Sequence, residues 1–136
     1  MLGSDLVKFD IRGDERGSLV AIEGGNDVPF DIARVYYVFG TVEGVSRGFH
    51  AHRNLRQVAI AVQGSITMLL DDGNDRRSVR LDDPSVGLHI GPMIWHEMHD
   101  FTPDCVLLVF ADQPYDESDY IRVYEEFTAA IETLAR

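Results

Sequence analysis

Two histidines, His50 and His52, stand one residue apart within Arg47-Gly48-Phe49-His50-Ala51-His52. Imidazole titrates at about 6.5, so such a pair can give and take protons near neutrality, or bind a divalent ion. Side chains alternate along a strand, and residues i and i+2 share a face. The two rings therefore point to the same side of a sheet. Three more residues keep fixed intervals: Gly44 six before His50, Gln57 five after His52, and Gly64 seven after Gln57. Gln57 separates the two chemistries. A carboxylate there would add an anionic oxygen to a metal site, and a neutral amide cannot. The pair is read as inward-facing and used for proton chemistry.

A third histidine is expected from Gly91-Pro92-Met93-Ile94-Trp95-His96-Glu97-Met98-His99-Asp100. His96 follows a Gly-Pro turn at a strand start and is placed opposite the first pair. His99 has the other strand parity, so it and His89 are read as structural.

The elements that must position these groups read mostly as strands. Leu6–Phe9 and Ser18–Ile22 flank a polar turn with Gly13 and Gly17. Ala33–Phe39, Gln57–Val62, Ser65–Leu70, Ser78–Leu81, Val86–Ile90, Met93–Met98 and Cys105–Ala111 follow. Asp71-Asp72-Gly73-Asn74-Asp75 is a hairpin signal between two of them. Short strands broken by Gly, Pro, Asn and Asp indicate a sandwich or barrel. Only the end changes period: Tyr124, Phe127, Ile131 and Leu134 recur three or four apart, as on one helix face.

At 136 residues the chain is read as one domain, 1–136, with 45% hydrophobic and 26% charged residues. The formal net charge is −11, and Lys8 is the one lysine. That balance speaks against nucleic acid as a partner, because general binding needs cations on phosphates. A small phosphorylated ligand met by a local arginine cluster remains compatible. Cys105 is the one cysteine and lies in an apolar run, as a buried side chain. The apolar runs are too short to span a bilayer and no signal peptide is evident, so no membrane and a cytoplasmic location are expected.

The spacing of Gly44, His50, His52, Gln57 and Gly64 is that of the first cupin motif, with Gln57 where metal-binding cupins carry glutamate. The chain further resembles the nucleotide-sugar 3,4-ketoisomerases, small cupins acting on dTDP-4-keto-6-deoxyglucose. The segments that carry the resemblance are Arg34-Val-Tyr36-Tyr37-Val-Phe39, Arg47 to His52, Leu70 to Asn74, Val86-Gly-Leu, Gly91-Pro92 with Trp95 to Asp100, and Tyr115 to Arg122. They span residues 5 to 127 in order. The resemblance implies an all-β cupin double-stranded β-helix (a jelly roll) with a short C-terminal helix. It also implies a homodimer with exchanged N-terminal strands, no metal and no cofactor. Its setting would be the synthesis of 3-amino-3,6-dideoxysugars.

Such an isomerase removes the C3 proton, forms an enediolate and returns a proton to C4. His50, His52 and His96 are the candidate catalytic groups. Arg47 and Tyr37 are candidates for stabilising the enediolate oxygen, and Arg34 for the diphosphate. Tyr37 is chosen over Tyr36, since neighbours in a strand cannot face one cavity. Gln57 joins the substrate wall. Trp95 is either a stacking surface for the base or a packed aromatic. Arg53 and Arg56 are placed in solvent or at a subunit contact, and the acids of Asp116–Asp119 cap or precede the last helix. Three other readings are weighed: a metal-dependent cupin enzyme ligated by the three histidines, a sugar-nucleotide binding module without activity, and a 3,5-epimerase.

Overall fold

The computed structural model describes residues 4–135, so the ends of the expected 1–136 domain lie outside the described residues. In chain order the strands are β1 (Ser4–Lys8), β2 (Arg12–Asp14), β3 (Gly17–Leu19), β4 (Arg34–Val38), β5 (Arg47–His52), β6 (Gln57–Gln63), β7 (Ile66–Asp71), β8 (Arg76–Leu81), β9 (Val86–Ile90), β10 (Trp95–His99), β11 (Val106–Ala111) and β12 (Tyr120–Ile121). The helix α1 is Tyr124–Leu134. Two antiparallel five-stranded sheets run in the orders β1–β9–β6–β11–β4 and β12–β5–β10–β7–β8. This is a jelly roll with one C-terminal helix.

Alternation along the strands builds the core between the sheets. Met68 and Leu70 of β7 meet Leu88 of β9 and Leu107 and Val109 of β11, all essentially buried. A second cluster, Phe127 of α1 with Ala51, Trp95 and Ile121, holds the helix against β5, β10 and β12. The strands that carry the histidines are thus braced on both faces.

Turn chemistry sets the boundaries. Asp71 Oδ1 accepts from the Gly73 amide at 2.7 Å, and Asp72 Oδ1 from Asn74 and Asp75 at 2.8 Å. These side-chain bonds replace backbone partners at the hairpin tip. Between β6 and β7, Gly64 has φ +67°, and a Cβ there would stand 2.8 Å from the Cys105 Cα. Only glycine fits that turn.

Several expected boundaries move. The turn with Gly13 and Gly17 does not join Leu6–Phe9 to Ser18–Ile22: β1 pairs with β9, Leu6 opposite Leu88. A local hairpin forms instead, Arg12–Asp14 against Gly17–Leu19. The strand expected from Met93 starts at Trp95, because Met93 still turns, with φ +60° and its amide on the His52 carbonyl. Leu134, expected on the packed helix face, is 68% exposed at the helix end. The acids of Asp116–Asp119 do not cap α1. They precede it: Asp116 caps the short 3₁₀ turn Glu117–Asp119, accepting from Ser118, and α1 begins at Tyr124, with Val123 at its N-cap position and no side-chain cap.

Candidate active site

The second sheet brings the three histidines together by register. His96 on β10 stands directly opposite His50 on β5, and Tyr120 on β12 opposite His52. Ring centroids lie 4.6 Å apart for His50 and His96, 5.0 Å for His50 and His52, and 5.9 Å for His52 and His96. One nitrogen from each ring falls within 4.8 Å of the others. These are also the residues that could hold a divalent ion.

Two of the tautomers follow from the partners. His96 Nδ1 is 3.1 Å from the Ile94 carbonyl oxygen, which can only accept, so Nδ1 carries the hydrogen. His52 Nδ1 is 3.2 Å from a carboxylate oxygen of Asp119 and is likewise the donor. In both rings Nε2 keeps the free lone pair. His50 Nδ1 is buried without a hydrogen-bond partner among the described residues.

A cavity of about 310 Å³ opens beside this cluster. Its walls come from both sheets: Arg34 and Tyr36 of β4 face Arg47, His50 and Met98, with Tyr115, Tyr120 and Arg122 at the side. A larger hollow of about 610 Å³ lies along the exposed hairpin Arg12–Leu19, but it is formed by the hairpin's own residues and gathers no histidine. Arg122 is paired with Glu117 at 2.8 Å. Arg34 and Arg47 have no carboxylate partner within salt-bridge distance among the described residues, and Arg34 Nε is buried without a partner. The cavity thus presents two guanidinium groups without a carboxylate partner among the described residues, Arg34 lying over the Tyr36 and Tyr115 rings, which suits an anionic ligand.

Arg47 reaches this cavity through a bulge. It precedes His50 by three, so regular alternation would send it to the opposite face. The register slips instead: Glu97 stands opposite Gly48, one residue further than regular pairing allows. Gly48 and Phe49 take φ +90° and +61° to absorb the extra residue. A Cβ on Gly48 would lie 3.1 Å from the His96 carbonyl oxygen.

Three residues expected to meet the substrate, Tyr37, Trp95 and Gln57, do not border the cavity. Tyr37 is 62% exposed on the outer face of β4, whereas Tyr36 lines the cavity. Strand parity was right that only one can enter, and β4's register against β11 selects Tyr36. Trp95 is 4% exposed but packs outward against Tyr124 and Phe127, its indole N–H on Glu97 at 2.9 Å. It sits next to inward-facing His96 and so on the other face, away from the cavity. Gln57, expected on the substrate wall, instead stands behind it: it is buried, does not border the cavity, and its Oε1 accepts from the Tyr36 hydroxyl at 2.6 Å. Burial, the largest cause, pushes that phenol up to about 12, so it stays protonated near neutrality.

The other polar residues fall as follows. His99 bonds Ser46 at 2.6 Å and Glu97 at 2.8 Å, on the face away from His96. His89 lies on β9, in the other sheet, 6.4 Å from the Phe30 ring. Arg53 is exposed, and Arg56 lies over the Phe30 ring at 5.4 Å. Asp119, Tyr120 and Arg122 were not singled out as site residues from sequence. Their segment, Tyr115 to Arg122, was among those carrying the family resemblance, and that was the available signal.

Burial dominates the electrostatics. It lowers His50 to about 4, helped by neighbouring His52, and His96 to about 3, helped by His50. His52 is lowered by burial too, with Asp119 pulling the other way. All three are therefore neutral at pH 7. An unfolded chain takes up a proton on each at about 6.5, well before the folded protein does. Stability is fully present above that pH and falls as pH drops from there toward 4. Each such histidine contributes a slope of up to about 1.4 kcal/mol per pH unit. Melting temperatures recorded from pH 7.5 to 5 are expected to decline for the wild type and less steeply for His96→Gln. Parallel curves would show that His96 titrates normally in the fold.

A family model described as FdtA: WxcM-like, C-terminal, matches residues 3–132. A protein of Aneurinibacillus thermoaerophilus named TDP-4-oxo-6-deoxy-alpha-D-glucose-3,4-oxoisomerase is 55% identical over 122 residues, 90% of this chain and 88% of that protein. The crystal structure of QdtA, a sugar 3,4-ketoisomerase from Thermoanaerobacterium thermosaccharolyticum in complex with TDP, superposes with a TM-score of 0.96 at 44% identity, covering 98% of each chain. WlaRB, a TDP-quinovose 3,4-ketoisomerase from Campylobacter jejuni, gives 0.92 at 42% identity, over 95% of this chain and 99% of that one.

Proposed function

The chain belongs to the FdtA, WxcM-like C-terminal family, and from that premise we propose that it moves the keto group of TDP-4-keto-6-deoxyglucose from C4 to C3. The single observation that carries the reading is the convergence of His50, His52 and His96 beside a cavity with two arginines that have no carboxylate partner among the described residues. A neutral imidazole takes the proton from C3, which is acidic because it adjoins the C4 carbonyl. The electron pair forms the C3–C4 double bond of an enediolate, and charge collects on the C4 oxygen. Arg47 stabilises that oxygen, and Arg34 meets the diphosphate. A histidine returns a proton to C4, and the C3 hydroxyl proton moves to the C4 oxygen, leaving the ketone at C3. Neutral Tyr36, backed by Gln57, closes one wall without competing for the proton.

The test is to supply TDP-4-keto-6-deoxyglucose, trap the product with a 3-aminotransferase, and identify the amino sugar by NMR. A sugar aminated at C3 supports the reading. Binding without loss of the C3 hydrogen in deuterated water would leave only a binding module.

The reaction as drawn uses no metal, and Gln57 spends its oxygen on Tyr36 rather than on an ion. Treatment with EDTA followed by dialysis is expected to leave turnover unchanged. Loss of activity restored by one specific metal would install the three histidines as ligands instead.

We extend the reading to a homodimer in which β1 takes, in the partner, the place it holds here against β9. β1 is an edge strand paired with β9 alone among the described strands, and at the sheet's other edge Val35 and Tyr37 of β4 and the adjoining Phe39 are 50%, 62% and 69% exposed, an apolar surface that a second copy would cover. An open edge of that kind aggregates unless covered. Sedimentation at micromolar concentration is expected to give twice the chain mass, and a monomer there would refute the pairing. No helix among the described residues is long and apolar enough to cross a membrane. A cytoplasmic site of action suits a chain whose one thiol, Cys105, is buried and unpaired.

A further inference from the structure

We infer that Asp119 is a positioning residue for the isomerisation, holding His52 in one tautomer with Nδ1 protonated and Nε2 free. The inference rests on the proton-transfer reading above and adds a group to it.

Asp119 lies 67 residues from His52 in sequence and reaches it by topology. The 3₁₀ turn Glu117–Asp119 runs straight into β12, whose first residue, Tyr120, stands opposite His52. The carboxylate therefore arrives beside the ring edge. It is 8% exposed and makes every contact as an acceptor. Oδ1 accepts from the Asn54 amide at 2.8 Å; Oδ2 accepts from the Leu55 amide at 3.3 Å and from His52 Nδ1 at 3.2 Å. Its own backbone oxygen accepts from the Arg53 amide at 2.9 Å. No arginine or lysine pairs with it among the described residues, so His52 and two backbone amides answer its charge.

Burying a carboxylate is costly unless its lone pairs are used. Here that cost secures an orientation. With the hydrogen on Nε2, a lone pair on Nδ1 would face the Oδ2 lone pairs, a repulsive contact that leaves Nδ1 unsatisfied in a buried setting. The opposite tautomer makes that contact a hydrogen bond, and it is the one that keeps Nε2 able to accept a proton. When His52 becomes cationic, the contact turns into an ion pair and favours the charged ring. Asp119 accordingly opposes the effect of burial on His52. Among the described residues, no carboxylate lies within hydrogen-bond distance of His50 or His96. The arrangement follows the logic by which a buried aspartate orients a catalytic histidine in acyl transfer.

Asp119→Asn separates this role from a purely structural one. The Asn54 amide at 2.8 Å holds its acceptor more closely than the Leu55 amide at 3.3 Å, so the Asn oxygen stays with Asn54 and the Asn NH2 faces His52. That NH2 donates to Nδ1 and drives the hydrogen to Nε2. NMR of the ligand-free protein with 15N-labelled histidine is expected to show His52 protonated on Nδ1 in the wild type and on Nε2 in Asp119→Asn. The variant is expected to lose about 10²–10⁴-fold in kcat with KM changed less than about threefold, since Asp119 does not line the cavity. A wild-type His52 protonated on Nε2 overturns the inference, and so does a variant that keeps its turnover. Should Asp119→Asn fail to fold, the wild-type tautomer alone decides. A protein that shows both tautomers as expected but isomerises no TDP-4-keto sugar would keep the positioning and lose the ketoisomerase reading.

Discussion

His50→Asn and His52→Asn are each expected to lower turnover by about 10²–10⁴-fold, the usual contribution of a general acid or base. The two are not equivalent in place. His50 lines the cavity, and His52 lies behind it at 3% exposure, backed by Asp119. Asparagine approximates the near half of the imidazole and keeps a polar amide, so fold and TDP affinity are expected to survive. Exchange of the C3 hydrogen with deuterated water, followed apart from product formation, then assigns the steps. A variant that exchanges but forms no product has lost delivery to C4; one that does neither has lost the base. His96→Asn is expected to be impaired less, because the His96 ring bonds only the Ile94 carbonyl, with no carboxylate among the described residues to steady a cationic form as Asp119 does for His52. Near wild-type rates in both His50→Asn and His52→Asn would make the pair structural and end this mechanism.

Phe127→Ala is expected to have the largest effect on stability, about 3–5 kcal/mol. The ring is fully buried at 0% exposure and packs 5.9 Å from Trp95, centroid to centroid, with Ala51 and Ile121 in the same cluster. Against a typical total of about 5–15 kcal/mol, that is a large share. It corresponds to a fall in melting temperature of roughly 10–20 °C for a chain of this size. Trp95, the one tryptophan, sits in the cluster and reports its loss by fluorescence. Leu134→Ala, at the exposed end of the same helix, is expected to change little. A shift below about 1 kcal/mol for Phe127→Ala would mean that α1 does not brace the histidine strands.

Local rules made much of this chain legible. Alternation along a strand was enough to place His50 and His52 together and to separate His96 from His99. Turn chemistry marked Asp71–Asp75, and periodicity marked the helix from Tyr124. The segments resembling known ketoisomerases supplied the fold. Each of these depends on residues within a few positions of one another, or on a motif pattern that needs no coordinates.

What failed was whatever needed a register. Alternation says that one of Tyr36 and Tyr37 enters a cavity, but only β4's pairing with β11 selects Tyr36. The same rule sends Arg47 away from His50, and the bulge at Gly48 and Phe49 reverses it. Trp95 could be placed on a face only once His96 was anchored opposite His50. Asp119 is the clearest case. Read locally, it is one acid in a run before a helix. In the fold, β12 closes onto β5 and delivers its carboxylate to a histidine far away in the chain. Sequence by itself determined which groups can share a face, because that follows from the fixed geometry of a strand. Tertiary structure alone decided which groups meet, because strand pairing sets the register and a single inserted residue changes the face of every side chain beyond it.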